Sequence, residues 1–106
     1  MGLLVIAAYR AKPGKEEELR QLLREHMPIL RGQGLITGRT PIVMRAGDGT
    51  VLEVFEWASQ QAIDAAHANP AVQQLWERFG QVCEYRKLGD LAEAAEMFPN
   101  FEPLEP

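Results

Sequence analysis

The chain has 106 residues, 46% hydrophobic and 25% charged, values typical of one globular domain. Its net charge of −4 gives no electrostatic reason to bind nucleic acid or an anionic membrane. No segment approaches the ~20 apolar residues of a membrane span, and the opening GLLVIAA is too short for a secretory signal. The single cysteine, Cys83, excludes an intrachain disulfide and a multi-cysteine zinc site. We therefore expect a cytoplasmic protein.

The first part of the chain predicts a strand followed by an amphipathic helix. Residues 3–10 are apolar and rich in strand formers. The acidic run 16–18 suits a first helical turn, because the positive end of the helix dipole favours carboxylates. Apolar residues at helical spacing mark a buried face, namely Leu19, Leu22, Leu23, Met27 and Leu30. Pro28 lies inside this pattern and predicts a kink or an unwound final turn.

The middle and later parts of the chain predict a hairpin, a helix in two pieces and a last strand. Residues 36–45 and 50–57 are strand-like segments around a Gly-Asp-Gly turn. Ser59 and Asn69 are typical helix N-caps, so two short helices follow each other. Residues 82–88 then form the fourth strand.

The order of these elements is βαββαβ with a split second helix, which predicts a ferredoxin-like α+β domain over residues 1–88. Residues 89–106 form an extension, with a short helical segment over 91–97 and then the proline-rich FPNFEPLEP. The prolines exclude a regular helix or a central strand, so this extension should lie over an apolar surface, with a partner subunit as the favoured candidate. A domain this small also gains burial by forming a homodimer.

Three motifs carry a resemblance to a known family. They are Lys12-Pro13-Gly14-Lys15 before the acidic helix start, the Pro28 helix leading into a Gly34 turn, and Glu56-Trp57 with Ser59 followed by a His and a Pro. In this order the chain resembles the antibiotic-biosynthesis-monooxygenase-like group of the dimeric α+β barrel superfamily, over roughly residues 3–88. The resemblance implies a homodimeric barrel of two sheets packed face to face, with a pocket between sheet and helices in each subunit.

The resemblance implies several activities, because such proteins include haem-degrading enzymes, cofactor-independent oxygenases of quinols and polycyclic phenols, and proteins of unknown role. The haem-degrading branch needs an Asn in the first strand, a Trp in the split helix and a His in the next helix. This chain has Ala7, Ala8 and Tyr9 in the strand, Ala66 where the Trp would stand and Trp76 where the His would stand. We therefore exclude haem degradation.

The cofactor-independent oxygenases place a His about one position from His67 in this sequence. An imidazole with a pKa near 6.5 suits the removal of a phenolic proton near neutral pH, so His67 is the predicted general base. The alternative is that His67 covers free backbone groups at the helix break. The residues predicted to bind substrate are Tyr9, Trp57, Trp76, Phe79 and Tyr85, although aromatic residues at such spacing also form hydrophobic cores.

Other polar residues receive structural interpretations. His26, near the end of the first helix, is explained by the helix dipole. Glu53 and Glu56 lie at odd spacing on one strand, so they face opposite sides and form no acid–base pair. An ion pair of Glu53 with an arginine is predicted instead, the candidates being Arg39, Arg45 and Arg86. His26 and His67 lie on different elements, so no metal site is predicted.

The leading hypothesis is a cofactor-free monooxygenase-like enzyme that acts on a phenolic or quinol-type aromatic molecule. The alternative is a non-catalytic module that binds an apolar small molecule or presents a dimer surface. An isomerase or lyase that uses the same pocket without oxygen is a third interpretation, which the sequence does not separate from the first.

Overall fold

The order of helices and strands confirms the ferredoxin-like prediction. A computed structural model describes residues 2–106. Its elements are β1 (Leu3–Ala11), α1 (Glu16–Gly32), β2 (Ile42–Arg45), β3 (Val51–Trp57), α2 (Gln60–His67), α3 (Pro70–Val82), β4 (Cys83–Arg86) and β5 (Glu102–Pro103). The predicted N-caps are confirmed as well. The Ser59 side chain accepts a hydrogen bond from the Ala62 amide, and the Asn69 side chain accepts from the amides of Ala71 and Val72.

The strands form one antiparallel sheet in the order β4-β1-β3-β2-β5. Strands β1 and β3 pair from Leu3 opposite Trp57 to Tyr9 opposite Val51. Because side chains alternate along a strand, the odd-numbered residues of both strands share one face. Helices α1, α2 and α3 cover this face, and their apolar residues pack against it in two clusters.

Three predicted details differ from the structure. The strand expected over 36–45 is confined to Ile42–Arg45, with one isolated bridge between Ile36 and Trp57. Gly38 and Pro41 lie between these contacts, and both residue types weaken strand pairing. Helix α1 passes through Pro28 and ends at Gly32, so the proline does not unwind its last turn. The helical segment expected over 91–97 is a 3₁₀ turn at Ala92–Ala95.

The core is centred on Phe79, whose side chain is fully buried. Its ring stacks on Tyr9 at a centroid distance of 5.1 Å and meets the His26 ring edge-on, also at 5.1 Å. A second cluster forms around Phe55 and Trp57, whose ring centroids lie 5.3 Å apart. Helix α3 therefore anchors the helical layer to the centre of the sheet.

The other face of the sheet, which carries the even-numbered residues of β1 and β3, is only partly covered. Within the extension, Leu91 is buried against Ala8, Ala46 and Leu52 of the same chain. The remaining surface, which we call the open sheet face, consists of Leu4, Ile6 and Ile42, exposed by 63%, 47% and 59%. The extension thus packs on its own sheet, and its contact with a partner subunit stays a prediction.

Replacing Phe79 tests the position of the core. Phe79→Ala should lower the free energy of unfolding by about 3–5 kcal/mol, because it leaves a cavity between the sheet and α3. Glu77→Ala, at an exposed position of the same helix, should change it by less than about 0.5 kcal/mol. Urea unfolding followed by circular dichroism measures both, and a small loss for Phe79→Ala would contradict this core.

Candidate functional site

A buried carboxylate, Glu53, is the centre of the most distinctive polar cluster in the molecule. Strand β3 places Glu53 on the helix-covered face, between Val51 and Phe55 in the alternating pattern. Its side chain is 1% exposed. One oxygen, Oε1, accepts a hydrogen bond from the Tyr9 hydroxyl at 2.9 Å and another from His26 Nδ1 at 2.8 Å. We call Tyr9, His26 and Glu53 the buried network.

Helix α1 supplies His26 from its buried face. His26 lies three and four residues beyond Leu23 and Leu22, so it projects from the same side of the helix towards the sheet. The His26 ring meets Phe55 and Phe79 edge-on, at centroid distances of 5.5 Å and 5.1 Å. Because Nδ1–H donates to Glu53, the second ring nitrogen, Nε2, is left buried without a hydrogen-bond partner among residues 2–106.

The electrostatics of the network keep Tyr9 protonated. Burial raises the pKa of Tyr9 well above its ordinary value, and the negative charge of Glu53 and its hydrogen bond raise that pKa further. Tyr9 therefore acts as a hydrogen-bond donor at any physiological pH. The carboxylate in turn has two fixed donors, which is the usual condition for burying a charge in a protein interior.

A cavity of about 450 Å³ lies beside the network, between α1 and β2, and Glu53 forms part of its wall. Most of the wall is apolar, and two charged residues besides Glu53 join it. The principal lining residues are Leu23, Met27, Val43, Leu104, Arg24 and Glu105. A carboxylate at the edge of an apolar cavity is suited to accept a proton from a bound small molecule. We call this space the Glu53 cavity.

His67, the predicted general base, lies elsewhere. It is exposed at the end of α2, where its Nδ1–H donates to the backbone oxygen of Ile63 at 2.9 Å. Its ring packs edge-on against Trp76 at 5.1 Å. In the described part of the chain, His67 lines none of the five principal cavities. This is the placement expected of a histidine that covers a helix end.

The aromatic residues predicted to bind substrate line none of the five principal cavities of residues 2–106. Tyr9, Phe79 and Tyr85 lie together, with the Tyr9 and Tyr85 ring centroids 5.7 Å apart. Trp57 belongs to the second core cluster, and Trp76, whose ring contacts His67, packs against the edges of both clusters. Only the first group adjoins the buried network. The structure therefore does not bring the predicted pocket residues into a single pocket.

The sequence interpretation missed the partners of Glu53. The predicted arginine pair is wrong, because Arg39 binds Glu56 and Arg45 binds Glu102, while Glu53 faces the helices. The prediction that Glu53 and Glu56 face opposite sides is confirmed. A usable signal was present: Glu53 alternates with apolar residues on its strand, and His26 falls at the spacing of the buried leucines.

Two further features of residues 2–106 bear on the class of protein. Their His, Cys, Asp and Glu side chains form no group of three or more that is placed to hold a metal ion. None of their helices is both long and apolar enough to cross a membrane.

Removing the Tyr9 hydroxyl tests the buried network. Tyr9→Phe should lower the free energy of unfolding by about 1 kcal/mol at neutral pH, because a buried hydrogen bond is lost. An unfolded tyrosine ionises near pH 10, whereas folded Tyr9 holds its proton to higher pH. Tyr9 therefore makes its full contribution to the free energy of unfolding below about pH 10. Above that pH the contribution falls by about 1.4 kcal/mol per pH unit.

The stability difference between the wild type and Tyr9→Phe should thus shrink, and then reverse, as the pH rises above about 10. Urea unfolding of both proteins at a series of pH values measures this difference. A difference that stays constant through this range would show that Tyr9 is not held protonated by burial and Glu53.

Comparisons with known proteins agree with the fold. The family described as "Antibiotic biosynthesis monooxygenase" matches residues 2–78. The fold is similar to the structure of Rv0793 from Mycobacterium tuberculosis (TM-score 0.65, 19% identity, 81% of this chain and 89% of that chain). It is also similar to a conserved protein from Methanosarcina mazei Go1 (TM-score 0.61, 14% identity, 81% of this chain and 87% of that chain).

A third similar structure is the NE2512 protein of unknown function from Nitrosomonas europaea (TM-score 0.57, 19% identity, 83% of this chain and 90% of that chain). At these identities the structural likeness supports the fold alone. No curated protein matches the chain at a significant level. Because the family match covers most of the sequence, the chain belongs to the antibiotic biosynthesis monooxygenase family.

Proposed function

We propose that the protein is a cytoplasmic, cofactor-independent monooxygenase-like enzyme that oxidises a phenolic or quinol-type aromatic molecule. One observation carries the proposal: the Glu53 carboxylate is buried, held by two hydrogen-bond donors, and forms part of the wall of an apolar cavity. Buried ionisable groups beside cavities are typical of catalytic sites. Membership of the family supports the same class of reaction.

In the proposed mechanism Glu53 is the general base. An aromatic substrate lies against the apolar wall, and Glu53 accepts a proton from its hydroxyl or from an activated ring position. Tyr9 and His26 are positioning residues, because their hydrogen bonds to Oε1 fix the carboxylate in one orientation.

The electrons for oxygen reduction come from the substrate. The substrate anion transfers one electron to O₂, and the resulting radical pair combines to form a carbon–oxygen bond. Breakage of the O–O bond then leaves one oxygen atom in the product as a carbonyl and releases the other as water. Both hydrogens of that water come from the substrate, so the reaction balances without a separate reductant.

This function is tested by supplying quinols, anthrones and catechols to the metal-stripped protein and measuring oxygen uptake with each compound. Glu53→Gln preserves the size of the side chain and should lower turnover by about 10²–10⁴-fold, the usual contribution of a general base. His67→Ala is the matched comparison and should retain nearly full turnover. The reverse result would assign the base to His67, and circular dichroism establishes that each variant is folded.

A second candidate is a non-catalytic module that binds an apolar small molecule. The placement of His67 away from the principal cavities favours it, as does the near-complete burial of Glu53. Calorimetric titration of the same aromatic panel distinguishes the two functions. Binding without oxygen uptake or product formation, unchanged in Glu53→Gln, would support the binding module and refute the enzyme.

We also propose that the open sheet face mediates a homodimer. Leu4, Ile6 and Ile42 form an exposed apolar surface of the kind that marks protein interfaces, and members of this family typically form dimers. Ile6→Lys should convert the dimer to a monomer at micromolar concentration, because it buries an unpaired charge at the interface.

Light scattering measures the effect of Ile6→Lys, and Gln81→Lys, at an exposed position of α3, is the matched control. The control should remain dimeric. A wild-type protein that is monomeric at the same concentration would contradict the proposed dimer.

A further inference from the structure

Residues 101–106, which we call the strap, form one wall of the Glu53 cavity. The strap runs along the edge of β2, with Pro103 opposite Met44 and Glu102 opposite Arg45. The Leu104 amide donates to the Val43 backbone oxygen at 3.0 Å. Four of the residues that line the cavity belong to the strap, namely Pro103, Leu104, Glu105 and Pro106.

Two arginines of α1 hold the far end of the strap. Arg20 donates to the backbone oxygen of Glu105 and Arg24 to that of Pro106, each at 2.7 Å. The strap therefore spans from β2 on one side of the cavity to α1 on the other. Leu104, between these two attachments, packs against the core cluster that contains Tyr9.

The attachments of the strap are weak compared with those of the central strands. β5 has only two residues, Glu102 and Pro103, and Pro103 provides no amide donor. The two arginine contacts with α1 and the ion pair between Arg45 and Glu102 are all exposed, so water competes for them. By contrast, β1 and β3 pair along their whole common length. A segment of this kind opens at a lower free energy than the folded core.

We propose that the strap is a lid that opens to admit substrate to the Glu53 cavity and closes to exclude water from it. Glu53 is 1% exposed when the strap is in place. One wall of the cavity must therefore move before a molecule can reach the carboxylate. The strap, which is held by a short pairing with β2 and by exposed polar contacts, is the wall that moves in this proposal. Closure would then bring Leu104 back over the cavity. The role of this lid rests on the proposed function, but its movement is measurable without turnover.

Hydrogen exchange tests the movement. The Leu104 amide should exchange much faster than the amides of β1 and β3 in the intact folded protein. Arg20→Gln combined with Arg24→Gln should accelerate that exchange by roughly tenfold or more, because two hydrogen bonds from charged donors are weakened. Arg31→Gln is the matched control, since Arg31 is an exposed arginine of the same helix with no hydrogen bond to the strap.

A Leu104 amide that exchanges no faster than the core amides would overturn the lid. So would an exchange rate that is the same in the double arginine variant and in the Arg31→Gln control.

A disulfide between the strap and β2 tests whether movement of the strap controls access to Glu53. Met44 and Pro103 are opposite each other in an antiparallel pair, a spacing that a disulfide spans. In the variant Met44→Cys with Pro103→Cys, the oxidised form should label Glu53 with a carbodiimide and glycinamide at least tenfold more slowly than the reduced form. Exposed Glu77 gives the reference rate in the same peptide map, and Met44→Cys alone controls for altered packing. Equal labelling of Glu53 in both forms would overturn the lid.

The proposed lid and the proposed enzymatic function would be contradicted by different results. If the disulfide controls labelling of Glu53 but no oxygen uptake is found with any substrate, the lid stands and the proposed reaction is wrong. If oxygen uptake depends on Glu53 but is equal in the oxidised and reduced forms, the enzyme stands and the lid is wrong.

Discussion

The burial of the Glu53 carboxylate constrains the rest of the structure. An isolated charge in an apolar interior costs many kcal/mol, and here Tyr9 and His26 offset that cost by donating to one oxygen. Both donors depend on the alignment of β1, β3 and α1. A slip of one residue in β3 would turn Glu53 to the opposite face of the sheet and leave both donors without an acceptor. The network therefore favours the observed register of β3 within the sheet.

The two faces of the sheet serve different purposes. The helix-covered face holds the aromatic core, the buried network and the Glu53 cavity. The other face is partly covered by the extension through Leu91 and otherwise presents apolar side chains. One strand, β3, contributes to both faces, with Glu53 directed to the helices and Leu52 to the extension. A change at Leu4 or Ile6 can therefore act on the network only through the backbone of the sheet, whereas Ile42 also lines the Glu53 cavity.

The sequence was sufficient for the order of elements because the deciding signals are local. Ser59 and Asn69 cap helices through neighbouring amides, and the spacing of leucines marks the buried face of α1. The length of β2 was overestimated, because a strand requires a partner and the segment before Ile42 has only one bridge. The partners of Glu53 lie 27 and 44 residues away along the chain. Such contacts depend on which faces meet in three dimensions, and the spacing within β3 indicates only the side to which Glu53 points.

The strap has a consequence for how the Glu53 cavity can change by substitution. Tyr9, His26 and Glu53 lie within residues 2–78, the part of the chain that matches the family, whereas Leu104 and Glu105 lie outside it. The buried network is thus encoded within the part of the chain that matches the family, and part of the cavity wall is encoded by a separate segment. Substitutions in that segment alter the shape and polarity of the cavity at little cost to folding. Selection can therefore vary the wall of the cavity without changing the buried network.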